Sequence, residues 1–252
     1  MKSIKYAVVP KFVVRKKGKL IDFVYIEEQF RNWIKQFSEQ GYVISRDTSI
    51  SAMLEPGCFN RFVRGEKAAF IDFAAIEFQK SDQASDYHYR IAPTFVSKVK
   101  ISKSEKKKVN KVDLPHVLFE KNRDTFEKLI TEYINKIASD RYKYNTSTQI
   151  TVVIEPGCLF WKESEEVDFE AYEFIKTQEV TTYLCKVFPR FRSKWSEFSY
   201  QKMEDDIAKK VEEATKEGYR IVGKIIFGAA METGCLGKID TLNVDAFIFE
   251  KA

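Results

Sequence analysis

The sequence predicts an α+β protein made of three tandem copies of one β-α-β-β unit, each with antiparallel sheet strands and one helix. Three short motifs recur in the same order, and they read Pro-x-Phe, Glu-Pro/Thr-Gly-Cys and Ala-x-x-Phe-x-Lys. Their spacing recurs as well, because a tyrosine lies 16 residues before the cysteine of each Glu-x-Gly-Cys tetrad: Tyr42 before Cys58, Tyr142 before Cys158 and Tyr219 before Cys235. Fixed order with fixed spacing is typical of an internal repeat.

The motifs place the three units at residues 1–82, 83–178 and 179–252. Each unit is a supersecondary element that is too small to bury a full core alone, so we expect it to pack against its neighbours. The sequence leaves open whether the units form a pseudo-threefold body or a linear array.

Each unit is expected to open with a strand that carries Pro-x-Phe and to continue into an amphipathic helix. Proline in a strand favours an edge position or a bulge. Apolar residues then recur at helical spacing on one face: Ile26, Phe30, Trp33 and Phe37 in the first unit, Phe126 to Ile137 in the second, and Met203 to Ala214 in the third. Gly41 and Gly218 predict left-handed helix caps. Arg141 stands at that place in the second unit, where the sequence predicts a cap of a different kind.

The second strand of each unit shows a period of two, which predicts one buried face. In the third unit this face is expected to hold Tyr219, Ile221, Ile225, Phe227, Ala229 and Met231. Polar stretches at Arg46–Ser49 and Thr146–Thr148 predict a bulge or a turn in the corresponding strands of the first and second units. The tetrad ends each second strand, and a loop leads to a closing strand such as Val244–Phe249.

The third unit resembles the small bacterial DUF4177 domains. The resemblance lies in Glu217-Gly218-Tyr219-Arg220-Ile221-Val222, which follows the helix, and in the closing Ala246-Phe247-Ile248-Phe249-Glu250-Lys251. It implies a short β-α-β-β fold and no assigned activity. The tetrad and the lysine-rich insertion depart from that family, which has one unit where this chain has three.

Composition excludes several classes of protein. The chain is 44% hydrophobic and 31% charged, which is enough apolar material for a core. No apolar run reaches the roughly 18 residues of a membrane span, and Met1–Lys5 does not resemble a signal peptide, so a cytoplasmic protein without membrane contact is expected. Two histidines leave little material for a Ser-His-Asp triad or a histidine-rich metal site.

The tetrads and the aromatic residues beside them are the candidate binding residues. They are Glu55, Cys58, Phe59, Glu155, Cys158, Phe160, Trp161, Glu232 and Cys235. If the three loops converge, their carboxylates, thiols and backbone amides line one site for a ligand. The simpler interpretation is a Pro-Gly turn with a small buried cysteine behind it. The same thiols and carboxylates suit a thiophilic metal as well, but this is the least favoured interpretation because the chain has no Cys-x-x-Cys motif, and no metal or other cofactor is expected.

A lysine-rich insertion at 98–111 belongs to the second unit alone. Net charge is +5, and this segment carries seven lysines and one acid, so the remaining chain is close to neutral. Such a segment can contact phosphates. It holds no aromatic residue on which bases could stack, so a solvated charge run is the favoured interpretation.

The favoured function is a non-enzymatic binding protein. Its tetrad loops are expected to recognise a small anionic ligand, a nucleotide or a partner protein. One alternative is a nucleic-acid-associated protein that acts through Lys98–Lys111. The other is a cysteine-dependent enzyme, although a reactive thiolate usually needs a nearby histidine or another cation. Cys185, which lies in an apolar strand, is expected to serve packing alone.

Overall fold

The computed structural model describes residues 3–15, 23–54, 69–82, 87–99, 114–155, 165–187, 199–233 and 238–251. In chain order its elements are β1 (Ile4–Val8), β2 (Phe12–Arg15), α1 (Phe23–Ser38), β3 (Tyr42–Leu54), β4 (Ala69–Lys80), β5 (Tyr87–Ile91), β6 (Thr94–Val99), α2 (Leu114–Glu120), α3 (Arg123–Ser139), β7 (Tyr142–Glu155), β8 (Glu165–Lys176), β9 (Tyr183–Val187), α4 (Tyr200–Lys216), β10 (Tyr219–Thr233) and β11 (Lys238–Lys251). The predicted α+β class is confirmed.

The described strands form three sheets with the orders β1-β4-β3, β5-β8-β7-β2 and β9-β11-β10-β6. Strand β4 is antiparallel to β1 and β3, and β11 is antiparallel to β9 and β10. However, β2 runs parallel to β7, and β6 runs parallel to β10. The prediction of purely antiparallel sheets was therefore wrong for these two short strands.

Proline divides the predicted opening strand in two. Pro10 lies between β1 and β2, and Pro93 lies between β5 and β6. The two strands on either side of each proline join different sheets. Because proline lacks a backbone N–H and cannot continue a ladder, the chain leaves one sheet there and enters another. The prediction of a single opening strand was wrong at both places.

Two compact units emerge from the contacts of the chain. Unit 1 comprises residues 1–91 and 147–173, and unit 2 comprises residues 92–146 and 174–252. The segments 1–82, 83–178 and 179–252 rest on sequence motifs, and neither their boundaries nor the three-repeat organisation is tested by this division. Both stay predictions.

The core of unit 1 is built around one face of α1. Ile26 and Phe30 are fully buried, as their helical spacing predicts. The Phe30 ring meets Phe12 and Tyr89 edge to face, with centroids 5.9 and 5.8 Å apart. Around them are buried residues of β3, β4, β5, β7 and β8, including Ile44, Phe78, Ile91, Ile150, Val152, Ile154 and Ala171. The core therefore draws on residues from both sides of the predicted boundary at 82.

The core of unit 2 includes the apolar face of α3 and the strands of the third sheet. Phe126 stacks on Phe119 with ring centroids 5.4 Å apart, and it also contacts Phe227 of β10. Its other buried members include Ile130, Ile134, Cys185, Ile225, Ala229, Met231, Ala246 and Ile248.

The three long helices of the described ranges, α1, α3 and α4, end in the same left-handed conformation. Gly41 and Gly218 have φ of 77° and 81°, as predicted from glycine at this place. Arg141 has φ of 63°, and its N–H bonds Ala138 O at 2.9 Å in the same way that the Gly41 N–H bonds Ser38 O at 2.8 Å. The prediction of a different cap in the second unit was wrong, because arginine adopts the strained conformation itself.

A bulge interrupts β3 and β10 at matching places. The register shifts between Ile44 and Arg46 and again between Ile221 and Gly223. Ile221 pairs with Phe249 and Ile225 with Ala246, so the two isoleucines lie on opposite faces of the sheet. The bulge in the first unit was predicted, whereas the single continuous face of β10 was wrong because the inserted residue reverses the alternation.

Candidate functional site

The tetrads begin where three long strands end. Leu54, the last residue of β3, directly precedes Glu55, Glu155 is the last residue of β7, and Glu232 lies one residue before the end of β10. The other predicted site residues lie outside the described part of the chain, and they are Glu55, Cys58, Phe59, Cys158, Phe160, Trp161 and Cys235. Convergence of the three loops stays a prediction.

Each described tetrad glutamate has a basic residue beside it. Glu155 of β7 is the register partner of Arg15 in β2, and Glu232 of β10 is the register partner of Lys98 in β6. Register partners project to the same face of a sheet. Both glutamates are half-buried. At the end of β10, Glu232 and Lys98 therefore bring an acidic and a basic side chain together, which offers an acceptor and a donor to a polar ligand, and Glu155 holds the matching register position at the end of β7.

The first two residues of the predicted lysine-rich insertion lie in a strand. Lys98 and Val99 are the last residues of β6, so they belong to the third sheet. The rest of the segment, 100–111, lies outside the described residues. Sequence reasoning placed Lys98 in the insertion because a lysine at the end of a short strand resembles the lysines that follow it.

At the opposite ends of the same strands, the lysine of the third motif has a structural role. Its ammonium lies over the ring of the tyrosine that opens the second strand: Lys80 over Tyr42 at 5.1 Å, Lys176 over Tyr142 at 4.5 Å and Lys251 over Tyr219 at 4.6 Å. Each of these lysines also donates to a backbone carbonyl just after the helix, on Gln40, Asp140 and Glu217 respectively. A cation is favourable there because the helix carboxyl end carries partial negative charge.

Two buried glutamates on closing strands accept hydrogen bonds from tyrosines. Glu77 accepts from the Tyr6 hydroxyl at 2.5 Å and from Arg46 at 2.7 Å. These two donors hold the pKa of Glu77 below its ordinary value. Glu173 accepts from the Tyr89 hydroxyl at 2.6 Å, and burial together with the Glu173 charge raises the pKa of Tyr89. Their partners indicate that these carboxylates hold strands together.

Two further glutamates lie on helices and bind the edge of a strand. Glu27 of α1 accepts from the Ile91 N–H at 3.1 Å and from Arg90 at 2.7 Å. Glu127 of α3 accepts from the Val187 N–H at 2.9 Å, and Lys186 lies 3.3 Å from it. Sequence reasoning missed both. The available signal was a glutamate 15 residues before the tyrosine of the next strand in all three units, at Glu27, Glu127 and Glu204.

Cys185 is buried in β9, as expected for a packing residue. Burial raises the pKa of its thiol to about 12, so the thiol is protonated at neutral pH. Over the described ranges, no three histidine, cysteine or acidic side chains gather closely enough to hold a metal ion. None of the helices in those ranges combines the length and the apolar character needed to cross a membrane.

Comparisons of this chain with protein-family models, with curated proteins and with solved structures gave no match.

Proposed function

We propose that this chain is a non-enzymatic binding protein that recognises its ligand through the Glu-Pro/Thr-Gly-Cys loops that follow β3, β7 and β10. The observation that carries the proposal is the matching acidic and basic pair at two strand ends, Glu155 beside Arg15 and Glu232 beside Lys98. Loops at the ends of rigid strands commonly hold binding residues. The ligand is a small anionic molecule, a nucleotide or a partner protein.

The proposal includes three copies of one unit as the scaffold. Support comes from contacts that recur at matching places, beginning with the left-handed cap at Gly41, Arg141 and Gly218. The contact of a lysine with a tyrosine ring occurs three times. The strand bulge occurs twice, and so does the bond from a strand N–H to a helix glutamate. One ancestral unit explains why the tetrads follow the same strand each time.

The buried titratable side chains of the described chain support binding in preference to catalysis. Glu77 and Glu173 are each held by a tyrosine hydroxyl, and Glu250 is held by Lys143 at 2.7 Å. Cys185 has a pKa raised to about 12, which is the opposite of what a nucleophilic thiol needs. These groups are engaged in strand packing, so the strand ends that lead into the tetrads are the better place for function.

The experiment compares what three versions of the chain carry when they are purified from the host. The test variant is Glu155→Gln with Glu232→Gln, and the control is Glu28→Gln with Glu179→Gln, at two exposed positions. Native mass spectrometry detects small molecules, and affinity purification detects proteins. We expect a bound molecule on the wild type and the control, and at least a tenfold loss of it on the test variant, with the melting temperature nearly unchanged.

An equal load on the test variant and the wild type would contradict the proposal. Recovery of nucleic acid that is lost steeply between low and moderate salt would favour the alternative function instead, because phosphate contacts release counterions.

A further inference from the structure

Helices α1 and α3 each cover the unpaired edge of a strand that lies later in the sequence, β5 and β9 respectively. Strands β5 and β9 are edge strands, at the ends of the orders β5-β8-β7-β2 and β9-β11-β10-β6. The outer edge of β9 is bound by side chains of α3 at successive turns. Glu127 accepts from the Val187 N–H, Thr131 accepts from the Cys185 N–H, and Asn135 bonds both the N–H and the carbonyl of Tyr183. Glu27 of α1 binds β5 in the same way.

The covered strands bury their side chains beneath the helix. Ile91 and Val187, which each lie two residues before a Pro-x-Phe proline, are 3% and 2% exposed. Tyr89 and Cys185, two residues earlier, are buried too. The helix therefore satisfies the polar edge of the strand and shields its apolar side chains from water.

Strand β1 holds the same position in its sheet, and none of the described helices covers it in this way. It is the edge strand of the order β1-β4-β3, and Val8 lies two residues before Pro10. Ile4, Tyr6 and Val8 are 51%, 57% and 48% exposed. Within the described part of the chain, its paired strand is β4 alone. An edge strand with a row of exposed apolar side chains is a template for association.

Helix α4 presents the matching surface at the other end of the sequence. Glu204, Ala208 and Glu212 occupy the places of Glu127, Thr131 and Asn135, counted from the tyrosine that opens the next strand, and all three are exposed. Its apolar residues Ile207 and Val211 are half-buried, whereas their counterparts in α3 are fully buried: Ile130 and Ile134.

We propose that copies of this chain associate head to tail, with α4 of one copy covering β1 of the next. The carboxylates of Glu204 and Glu212 accept hydrogen bonds from the open edge of β1, as Glu27 and Glu127 do within the chain. Arg46 is basic and donates to Glu77, which also accepts from the Tyr6 hydroxyl, so a positive charge lies beside the exposed row of β1 and complements this acidic stripe. The interface is heterologous, so each copy keeps one free α4 surface or β1 surface after pairing. It does not depend on what the tetrad loops bind.

Sedimentation velocity over a concentration series tests the proposal with two complementary variants of the full chain. Val8→Lys places a charge on β1, and Ala208→Arg places a bulky cation in the α4 stripe. We expect the wild type to exceed the monomer mass of 29.4 kDa as its concentration rises toward about 100 µM, in the range of weak protein interfaces. Each variant alone should associate at least tenfold more weakly. An equimolar mixture should regain dimers and stop there, because one intact β1 meets one intact α4.

Matched controls are Val180→Lys, at another exposed valine, and Glu213→Arg, on another exposed side of α4. Both should associate like the wild type, and circular dichroism should show that all variants fold. A wild type that stays monomeric throughout the series would overturn the proposal. In that case β1 is either uncovered or covered by its own copy, and no second copy binds it. Continued association of Ala208→Arg alone would also overturn it, since it would indicate β1 pairing with β1. The proposal would also be overturned if the wild type were purified with a different protein bound to β1 in place of a second copy.

Discussion

Arg141 adopts a backbone conformation that is held by glycine at the two matching places in the chain. Its φ of 63° lies in the left-handed region, which costs a residue with a β-carbon roughly 1–2 kcal/mol. The arginine side chain is exposed, so it gains little packing in return. The strain persists because the cap still satisfies helix carbonyls and because the Arg141 carbonyl accepts from the Thr177 N–H at 2.8 Å.

We therefore expect Arg141→Gly to raise the free energy of unfolding by about 0.5–1 kcal/mol, since relief of strain exceeds the added entropy of the unfolded glycine. Gly218→Ala should lower it by about 1 kcal/mol, because a β-carbon there meets only ordinary contacts and the cost is conformational. Urea unfolding measures both. Changes of the same sign in the two variants would contradict the account of the cap.

Glu77 is expected to make stability depend on pH. Its pKa is lowered in the folded chain by the Tyr6 hydroxyl and Arg46, so its contribution is fully present above the unfolded carboxyl pKa of about 4.3. That contribution is lost as the pH falls from this value through the lower folded pKa. Glu77→Gln should lose less stability between pH 5 and pH 2 than the wild type, in urea unfolding at about half-unit steps. The control Glu28→Gln, at an exposed position, should follow the wild type, and parallel curves for all three proteins would refute the assignment.

At the scale of elements, the stripe of polar side chains on α3 (Glu127, Thr131 and Asn135) explains how the outer edge of β9 is satisfied without another strand. The side chains of Glu127, Thr131 and Asn135 replace the ladder partners that β9 lacks on its outer side. An unsatisfied N–H in this buried setting costs about 1–3 kcal/mol. The stripe thus has a role in stability that the apolar periodicity of the helix does not reveal.

Glu127→Ala is expected to lower the free energy of unfolding by about 1–3 kcal/mol, because it leaves the buried Val187 N–H without its acceptor. Hydrogen exchange should show faster exchange at the Val187 amide. The control Glu132→Ala, on the exposed side of α3 where Glu132 lies near Lys128, should change stability by less than about 0.5 kcal/mol. Equal effects at the two positions would show that the stripe is no more than a solvated surface.

At the scale of the whole molecule, the core of unit 1 contains residues from both sides of the predicted segment boundary at 82. Tyr89, Ile91, Ile150, Val152 and Ile154 belong to the second predicted segment and lie in the same core as Ile26 and Phe30 of the first. Removing these residues would expose the apolar face of α1. The burial of several such side chains contributes about 1.5–3 kcal/mol each.

A fragment of residues 1–82 is therefore expected to lack a cooperative thermal transition by circular dichroism. A fragment of residues 1–178, which keeps every residue of unit 1, should retain one. A sharp transition in the shorter fragment, with protected amides in α1, would show that the first segment folds as an independent domain.

The sequence by itself determined the α+β class, the long helices, the glycine caps, the first bulge and the location of the tetrads at strand ends. These are local properties. Apolar spacing reports which face of an element is buried, glycine reports where positive φ is needed, and a Pro-Gly pair reports where a strand stops.

Tertiary structure alone decided which elements meet. The parallel pairing of β2 with β7 joins residues far apart in sequence, and periodicity carries no information on the identity of a partner. The bulge between Ile221 and Gly223 reversed a predicted face, because strand alternation has a period of two and one extra residue reverses every side chain after it. The helix glutamates Glu27 and Glu127 gained their role only from a strand edge that folding brings to them, since a charged residue on a helix otherwise resembles any solvated one.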